Sequence, residues 1–177
     1  MSILKVARMG HPVLRAKAKP IPPGDITSPL VQKLIDDMID TMVEYHGVGL
    51  AAPQVHEGVR LFVAALNDGD DEERTPLALV NPEISLVGSD RVEDWEGCLS
   101  IPDIRGKVPR AKEVRVRAYD RDGARIELRA TNFSARIIQH EADHLDGILF
   151  FDRMKSFGTL TFIEEYSRYW AKDEDED

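Results

Sequence analysis

Apolar residues recur at helical spacing in the stretch that follows Ser28 and Pro29. Serine is a favourable N-cap, and proline is well tolerated in the first turn of a helix. The repeat continues to Gly47, a residue type that often ends helices. We therefore predict an N-terminal core helix over residues 28–47. Its apolar positions are Leu30, Val31, Leu34, Ile35, Met38, Met42 and Val43.

Two further stretches are expected to be helical. One begins at Asn132, which can serve as an N-cap, and ends at Gly147. The other covers residues 157–171 and is followed by the tail 172–177, in which five acidic residues follow Lys172 and which we expect to be solvated and frayed. We predict a second helix over 132–147 and a C-terminal helix over 157–171.

Several short stretches instead alternate apolar and polar residues or are rich in β-branched residues, as strands are. Tight turns separate them, with Asp122-Gly123 as the strongest hairpin signal and residues 67–73 as an acidic loop. Many short strands joined by tight turns favour antiparallel sheets. Residues 1–27 contain four prolines and are expected to be irregular. The predicted strands cover residues 59–66, 77–80, 83–87, 113–119 and 124–130.

These elements predict an α+β fold, in which antiparallel β-sheets pack around the central helix 132–147. The chain of 177 residues is long enough for one well-packed core, so we expect a single catalytic domain over 1–177. Its composition, 42% hydrophobic and 31% charged, is that of a globular protein. No apolar run approaches the roughly eighteen residues of a membrane span, and no secretion signal is evident, so we expect a cytoplasmic protein.

The net charge of −9 argues against a chain that binds nucleic acid directly, because a phosphate backbone would repel it. Cys98 is the only cysteine, so no disulfide can form within the chain. The oligomeric state has no sequence signal, and we take a monomer as the working expectation.

The central helix carries the pattern His-Glu-x-x-His at residues 140–144. Positions four apart share one face of a helix, so His140 and His144 can present two imidazoles to one metal ion. Glu141 lies beside the first of them, where it could act as a general base toward water. Two histidines could also lie on a solvated helix face by chance. Because only five occur in the chain, we favour a metal-dependent hydrolase.

Catalytic metal sites commonly use three protein ligands, so one ligand is still to be found. The metzincin pattern would place a third histidine where this chain has Phe150, which cannot bind a metal. A glutamate from a later helix, as in thermolysin-like enzymes, is available in Glu164 or Glu165. The remaining candidate is Cys98, since a thiolate is a strong ligand for zinc or ferrous iron.

Two other features would shape a binding site beside this metal. Phe133 and Ile137 lie on the same helix face as His140 and would form an apolar wall. Residues 47–54 are mostly small, which allows a ligand to approach the backbone closely, and they end in Gln54, whose side chain can donate an N–H.

Three separated stretches together resemble the signature motifs of the peptide deformylases. The resemblance extends from about residue 3 to about residue 154, and the motifs occur in the order and at the separations of that family. It implies removal of the N-formyl group from new proteins that begin with formyl-methionine. The stretches are GVGLAAPQ at 47–54, EGCLS at 96–100 and QHEADH at 139–144.

The resemblance also implies roles for residues of the metal site. Cys98, His140 and His144 would hold the ion, which in this family is typically ferrous iron, although zinc, nickel and cobalt forms occur. Glu141 would move the proton during hydrolysis. The oxyanion would be stabilised by the backbone N–H of Leu99 and by the side-chain amide of Gln54.

The remaining site residues would contact the substrate. Phe133 and Ile137 would line the methionine pocket, while Val48 and Gly49 would offer main-chain groups to an extended peptide. We group Glu96 and Arg105 with them, although Glu96 could instead orient a metal ligand or an arginine. Arg110 could pair with Glu96 or approach the substrate.

The implied partners are N-formyl-methionyl nascent peptides, and hence the enzyme would work transiently near the ribosome. Some members of the family have a basic C-terminal extension thought to dock near the exit tunnel. Here residues 173–177 are all acidic, so we assign no ribosome docking to this end of the chain.

Overall fold

The computed structural model describes residues 2–66 and 76–171. The acidic loop predicted at 67–73 and the acidic tail at 172–177 lie outside the described residues. The helices are α1 (Pro29–Glu44), α2 (Asn132–Leu145) and α3 (Ile163–Tyr169). The strands are β1 (Gly49–Ala51), β2 (Leu61–Ala65), β3 (Pro76–Leu86), β4 (Arg91–Cys98), β5 (Ile101–Ala111), β6 (Glu113–Tyr119), β7 (Arg125–Thr131) and β8 (Thr161–Phe162).

The strands form two antiparallel sheets. One has the order β1-β2-β3-β6-β7, and the other has the order β4-β5-β8. The predicted α+β fold with antiparallel sheets is confirmed. None of the helices in the described part of the chain has the length and apolar character needed to cross a bilayer.

Helix α2 packs on one face of the five-stranded sheet and α1 on the other. Alternate residues of a strand face opposite sides, so β2 contributes to two separate cores. Phe62 packs in one core with Ile138 of α2, and Val63 packs in the other with Met38 of α1. The three-stranded sheet covers α2 from another side, where Arg136 of α2 donates to the carbonyl oxygens of β4 and β5. Helix α2 is therefore the central element.

The predicted end of α1 and the predicted start of α2 both need correction. Helix α1 ends at Glu44, and His46, rather than Gly47, adopts the left-handed backbone conformation at φ 54°. The N–H of Gly47 then donates to the carbonyl of Met42 at 2.8 Å, which closes the last turn. Asn132 does not cap α2, because Thr131 occupies the N-cap position without a side-chain hydrogen bond.

The predicted C-terminal helix is the largest error in the helix assignments. Residues Phe157–Thr159 form a 3₁₀ turn, β8 follows, and the helix itself covers only Ile163–Tyr169. Gly158 disfavours helix, and the residues that follow find hydrogen-bond partners along β5, at Ile104 and Arg105.

Among the strands, 113–119 is confirmed as β6, and β2 and β7 differ from prediction by a residue or two. The two strands predicted on either side of Asn81-Pro82 are one strand, β3, with a register shift between Val80 and Glu83. Asn81 absorbs the irregularity with a φ of 51°. Strands β1, β4, β5 and β8 have no counterpart in the sequence prediction.

Candidate metal centre

One face of α2 presents two imidazoles to the end of β4. His140 and His144 are one helical turn apart, and their ring centroids are separated by 5.0 Å. Cys98 is the last residue of β4, before the tight turn that leads to β5. Its Sγ lies 3.3 Å from Nε2 of His144. The candidate ligand atoms of these three residues all lie within 4.8 Å of one another.

This donor set fits a divalent metal ion. A thiolate with two imidazoles suits zinc or ferrous iron better than magnesium or calcium. In the described part of the chain, no other group of three or more His, Cys, Asp or Glu side chains comes as close together. Glu164, one alternative third ligand, is exposed, and Glu165 pairs with Arg168 on the surface of α3.

The orientation of His140 is fixed by Glu96, a buried carboxylate on β4. Oε2 of Glu96 lies 2.9 Å from Nδ1 of His140, which leaves Nε2 of that ring for an ion. Arg110 donates to both carboxylate oxygens, at 2.8 and 3.0 Å, and Arg136 donates to Oε1 at 2.8 Å. Burial opposes ionisation, but the hydrogen bonds from Arg110 and His140 outweigh it and hold the pKa of Glu96 well below its usual range.

The same arginines join the cysteine-bearing sheet to the histidine-bearing helix. Besides Glu96, Arg136 of α2 donates to the carbonyl oxygens of Val92 at 2.7 Å and Val108 at 2.8 Å. From the other direction, Arg110 of β5 donates to Asp143 of α2 at 2.6 Å. The thiol and the imidazoles come from different layers of the fold, and these bonds set their relative position.

Arg136 was not recognised as a site residue from the sequence. Its spacing of four residues from His140, on the same helix face, was the one signal that pointed to it.

Glu141 is buried beside the ligand cluster, and its Oε2 has no hydrogen-bond partner among the described residues. Burial raises the pKa of Glu141 to about 7, with His140 and Arg110 lowering it and Glu96 raising it further. An unpaired carboxylate whose pKa lies near neutrality can both accept and return a proton.

Gln54 lies in a short 3₁₀ turn, Ala52–Val55, next to the thiol. Its Oε1 accepts from the N–H of Ala51 at 2.9 Å, which fixes the direction of the amide. Its Nε2 is 3.1 Å from Oγ of Ser100 and 3.5 Å from Sγ of Cys98. The amide N–H therefore points toward the metal cluster.

These residues line a cleft of about 940 Å³. Strand β1 is an edge of the five-stranded sheet and β4 is an edge of the three-stranded sheet, and both contribute residues to the cleft wall. An extended peptide can add to the edge of a sheet, so a cleft between two strand edges suits a peptide ligand. Eleven of the twelve site residues predicted from the sequence line this cleft; the exception, His144, is buried. The eleven are Val48, Gly49, Gln54, Glu96, Cys98, Leu99, Arg105, Phe133, Ile137, His140 and Glu141.

Comparison with known proteins identifies the family. A sequence model described as polypeptide deformylase matches residues 3–159. The chain is 42% identical to peptide deformylase 2 of Nostoc sp. over 96% of both chains. It is 45% identical to the peptide deformylase of Halothermothrix orenii over 89% of this chain and 97% of the relative.

Among solved structures, the chain is similar to a class I type b peptide deformylase from Acinetobacter baumannii bound to Met-Ala-Ser. The TM-score is 0.81 at 41% identity, and the match covers 87% of this chain and all of the other. With a family match over most of its length and relatives above 40% identity, this chain belongs to the polypeptide deformylase family.

Proposed function

We propose that this protein hydrolyses the N-formyl group of formyl-methionine at the start of newly made proteins. Water supplies the oxygen that joins the formyl carbon, the carbon–nitrogen bond breaks, and the products are formate and a free amine. The observation that carries the proposal is the Cys98-His140-His144 cluster with Glu141 beside it, in a cleft between two strand edges. The A. baumannii relative is bound to Met-Ala-Ser, which is what deformylation of formyl-Met-Ala-Ser would leave.

Enzymes of this family depend on a metal, and we propose that Cys98, His140 and His144 hold it here. When bound, a divalent ion acts as a Lewis acid that polarises a carbonyl and lowers the pKa of a water molecule. We take Fe²⁺ as the native ion and Zn²⁺, Ni²⁺ and Co²⁺ as substitutes, since a thiolate and two imidazoles accept all four.

Glu141 moves the proton in this scheme. Its free Oε2 accepts the proton of the attacking water and then returns it to the nitrogen of the leaving amine. The negative charge that develops on the formyl oxygen is stabilised by the side-chain amide of Gln54 and the backbone N–H of Leu99. Gln54 is already oriented by its bond from Ala51, so little reorganisation is needed when the charge forms.

The substrate lies along the cleft with its methionine side chain against Phe133 and Ile137. The peptide main chain pairs with Gly49, the first residue of β1, and with Val48, which precedes it. Glu96, which we grouped with the substrate-binding residues from the sequence, is buried and bound to His140, Arg110 and Arg136. We therefore assign it the alternative role, orientation of His140.

The close approach of Gly49 to Glu141 gives a direct test of this geometry. A Cβ on Gly49 would lie 2.8 Å from both Cδ and Cγ of Glu141, whose buried side chain cannot move aside without displacing its carboxylate. A displacement of about 1 Å can cost roughly 10²-fold in rate, so Gly49→Ala is expected to lower kcat by about that factor while metal content is retained.

Gly58→Ala is the matched control, because no atom would lie within 4 Å of its new Cβ. Formate release under steady-state conditions and metal content by mass spectrometry check both variants. Equal kcat in Gly49→Ala and Gly58→Ala would mean that the close approach of Gly49 does not determine the position of the Glu141 carboxylate during the reaction.

The proposed substrates indicate where in the cell the protein would act. Nascent chains with formyl-methionine are made in the compartment of protein synthesis, so we propose a cytoplasmic protein that meets its substrates near the ribosome. We also propose that residues 1–177 act as one catalytic domain, since β1, β4 and α2 all contribute to the same cleft. Release of formate from formyl-Met-Ala-Ser is the test of the function as a whole.

A further inference from the structure

Strand β7 forms an open edge of the five-stranded sheet. Its seven residues, Arg125–Thr131, pair with β6 over their whole length, and no strand in the described part of the chain pairs with its other side. An open edge presents main-chain N–H and C=O groups to which another strand can bind. Proteins often block such edges with proline or a β-bulge, and β7 has neither. The substrate cleft lies at the opposite edge of the same sheet, at β1.

The side of β7 that faces α2 is apolar and incompletely covered. Ile126 and Leu128 pack against the core on this side of the sheet, yet both remain only half-buried. Ala130, the next residue on the same side, is buried. Alternate residues of a neighbouring strand would continue this apolar surface. Because burial of apolar area is favourable, a strand added at this edge would be stabilised by the cover that it gives to Ile126 and Leu128.

The opposite side of β7 carries charges of alternating sign. Arg125, Glu127 and Arg129 follow one another on this side, and all three are exposed. Glu127 already accepts from Arg117 of β6 at 3.0 Å, and Arg129 pairs with Glu113. A carboxylate has room for several donors, so these pairs within the chain leave Glu127 able to accept from a further arginine. A strand fits this side only if its charges occur in the complementary order.

We propose that β7 pairs antiparallel with β7 of a second copy, about a two-fold axis at Leu128. Every second register is excluded, because a shift of one residue would turn the apolar side of one copy toward the charged side of the other. A register centred on Glu127 is disfavoured as well, since it would place like charges opposite each other, Glu127 facing Glu127 and Arg125 facing Arg129. The register centred on Leu128, the middle residue, overlaps all seven residues and places Glu127 of each copy opposite Arg129 of the other.

The apolar side of β7 favours the same register. It brings Leu128 against its own copy and Ile126 against Ala130, so apolar residues meet only apolar residues. A register centred on Ile126 would also match charges, but it overlaps only residues 125–127 of the strand. The dimer closes on itself, because a two-fold contact uses the same surface of both copies. It leaves both substrate clefts open, and it differs from the monomer that we took as the working expectation.

Sedimentation velocity of the full chain tests the dimer. Pairing of two short strand edges forms a contact smaller than the ~1,200 Å² of a standard complex, so we expect a weak dimer, with Kd on the order of 10–100 µM. Monomer should therefore dominate at about 1 µM and dimer at about 1 mM. A wild type that stays monomeric at about 1 mM, or that assembles beyond the dimer, would overturn the proposal.

Charge reversal tests which residues meet. In Glu127→Arg the two copies would oppose only positive charges at these positions, and in Arg129→Glu only negative ones, so each variant alone should raise Kd by at least about tenfold. A mixture of the two variants should form a heterodimer with a Kd close to that of the wild type, since each altered residue then faces the opposite charge. A local defect in folding would not be rescued by mixing.

Glu83→Arg is the matched control for charge reversal. Glu83 is exposed on the same side of the sheet, but it lies on β3, away from the edge. Its Kd should equal that of the wild type. The melting temperature of each variant shows separately whether the fold is retained.

Oxidative cross-linking tests the register. Residues directly opposite in an antiparallel pair have Cα atoms roughly 4.5–5.5 Å apart, within reach of a disulfide, so Leu128→Cys should cross-link to its own copy. Ile126→Cys is the control, since its two copies would lie roughly 13 Å apart along the strands. The wild type, in which Cys98 is the only cysteine, gives the background.

Three results with these variants would overturn the proposal. The first is a Kd for Glu127→Arg that equals the wild-type value or the value for Glu83→Arg. The second is a mixture of Glu127→Arg and Arg129→Glu that dimerises no better than either variant alone. The third is cross-linking of Ile126→Cys in place of Leu128→Cys. Formate release is measured separately, so its absence would reject the proposed function and leave the dimer to be judged by sedimentation.

Discussion

Cys98→Ala is expected to lose its metal and, with it, formate release. Cys98 supplies the one anionic ligand of the cluster, and its Sγ lies 3.3 Å from Nε2 of His144. Loss of a partner that only orients a ligand already costs about 10- to 100-fold in metal affinity, and loss of a direct ligand should exceed this. Dialysis against a chelator, followed by metal analysis, measures the effect without reference to activity.

Glu164→Ala is the control that separates this site from a zinc endopeptidase with a glutamate as third ligand. Glu164 is exposed on α3 and lies outside the ligand cluster, so metal content and activity should match the wild type. The deformylase assignment of the ligands would be wrong if Glu164→Ala lost the metal while Cys98→Ala kept it.

Glu141→Gln is expected to keep its metal and lose most of its rate. Glutamine has the shape of glutamate but cannot accept the proton of water at neutral pH, and proton transfer of this kind contributes about 10²–10⁴-fold. The side chain is buried and Oε2 has no described hydrogen-bond partner, so the change breaks no described hydrogen bond of that oxygen. We therefore expect a fall in kcat of that size, with little change in KM or in the melting temperature.

The matched control is Glu57→Gln, which makes the same chemical change at an exposed residue outside the cleft. It should be indistinguishable from the wild type in kcat and in metal content. A Glu141→Gln variant that turned over as fast as Glu57→Gln would show that another group moves the proton.

The elements that can be predicted from the sequence are those whose pattern of apolar and polar residues matches the pattern of buried and exposed positions in the fold. Helix α2 has an apolar stripe, and β6 alternates buried and exposed residues along its whole length. Strands β4 and β5 lack such a signal. Half of the residues of strand β4 are charged and half are exposed, and its buried residue is Glu96. Strand β5 contains Pro102 and Pro109, and proline has a low propensity for strands.

The residues of the metal site likewise fall into those that local spacing predicts and those that it does not. Helical spacing places His140 and His144 together, because that relation is local. Cys98 is brought to them by the hydrogen bonds of Arg110 and Arg136 between the sheet and α2, which join residues far apart in the chain and are not encoded by local pattern. Ligand chemistry makes Cys98 one candidate for the third ligand, and the resemblance to a family selects it over Glu164 and Glu165.

Formate release from formyl-Met-Ala-Ser, by protein purified without oxygen and loaded with Fe²⁺, is the assay that decides whether the protein is a deformylase. Anaerobic handling protects both the ion and the thiol of Cys98. The structure predicts one formate and one free Met-Ala-Ser for each peptide consumed, with the internal peptide bonds intact and only a residual rate in Glu141→Gln. Cleavage of the internal bonds, or no formate above background with Glu141→Gln equal to the wild type, would rule out deformylation by this site.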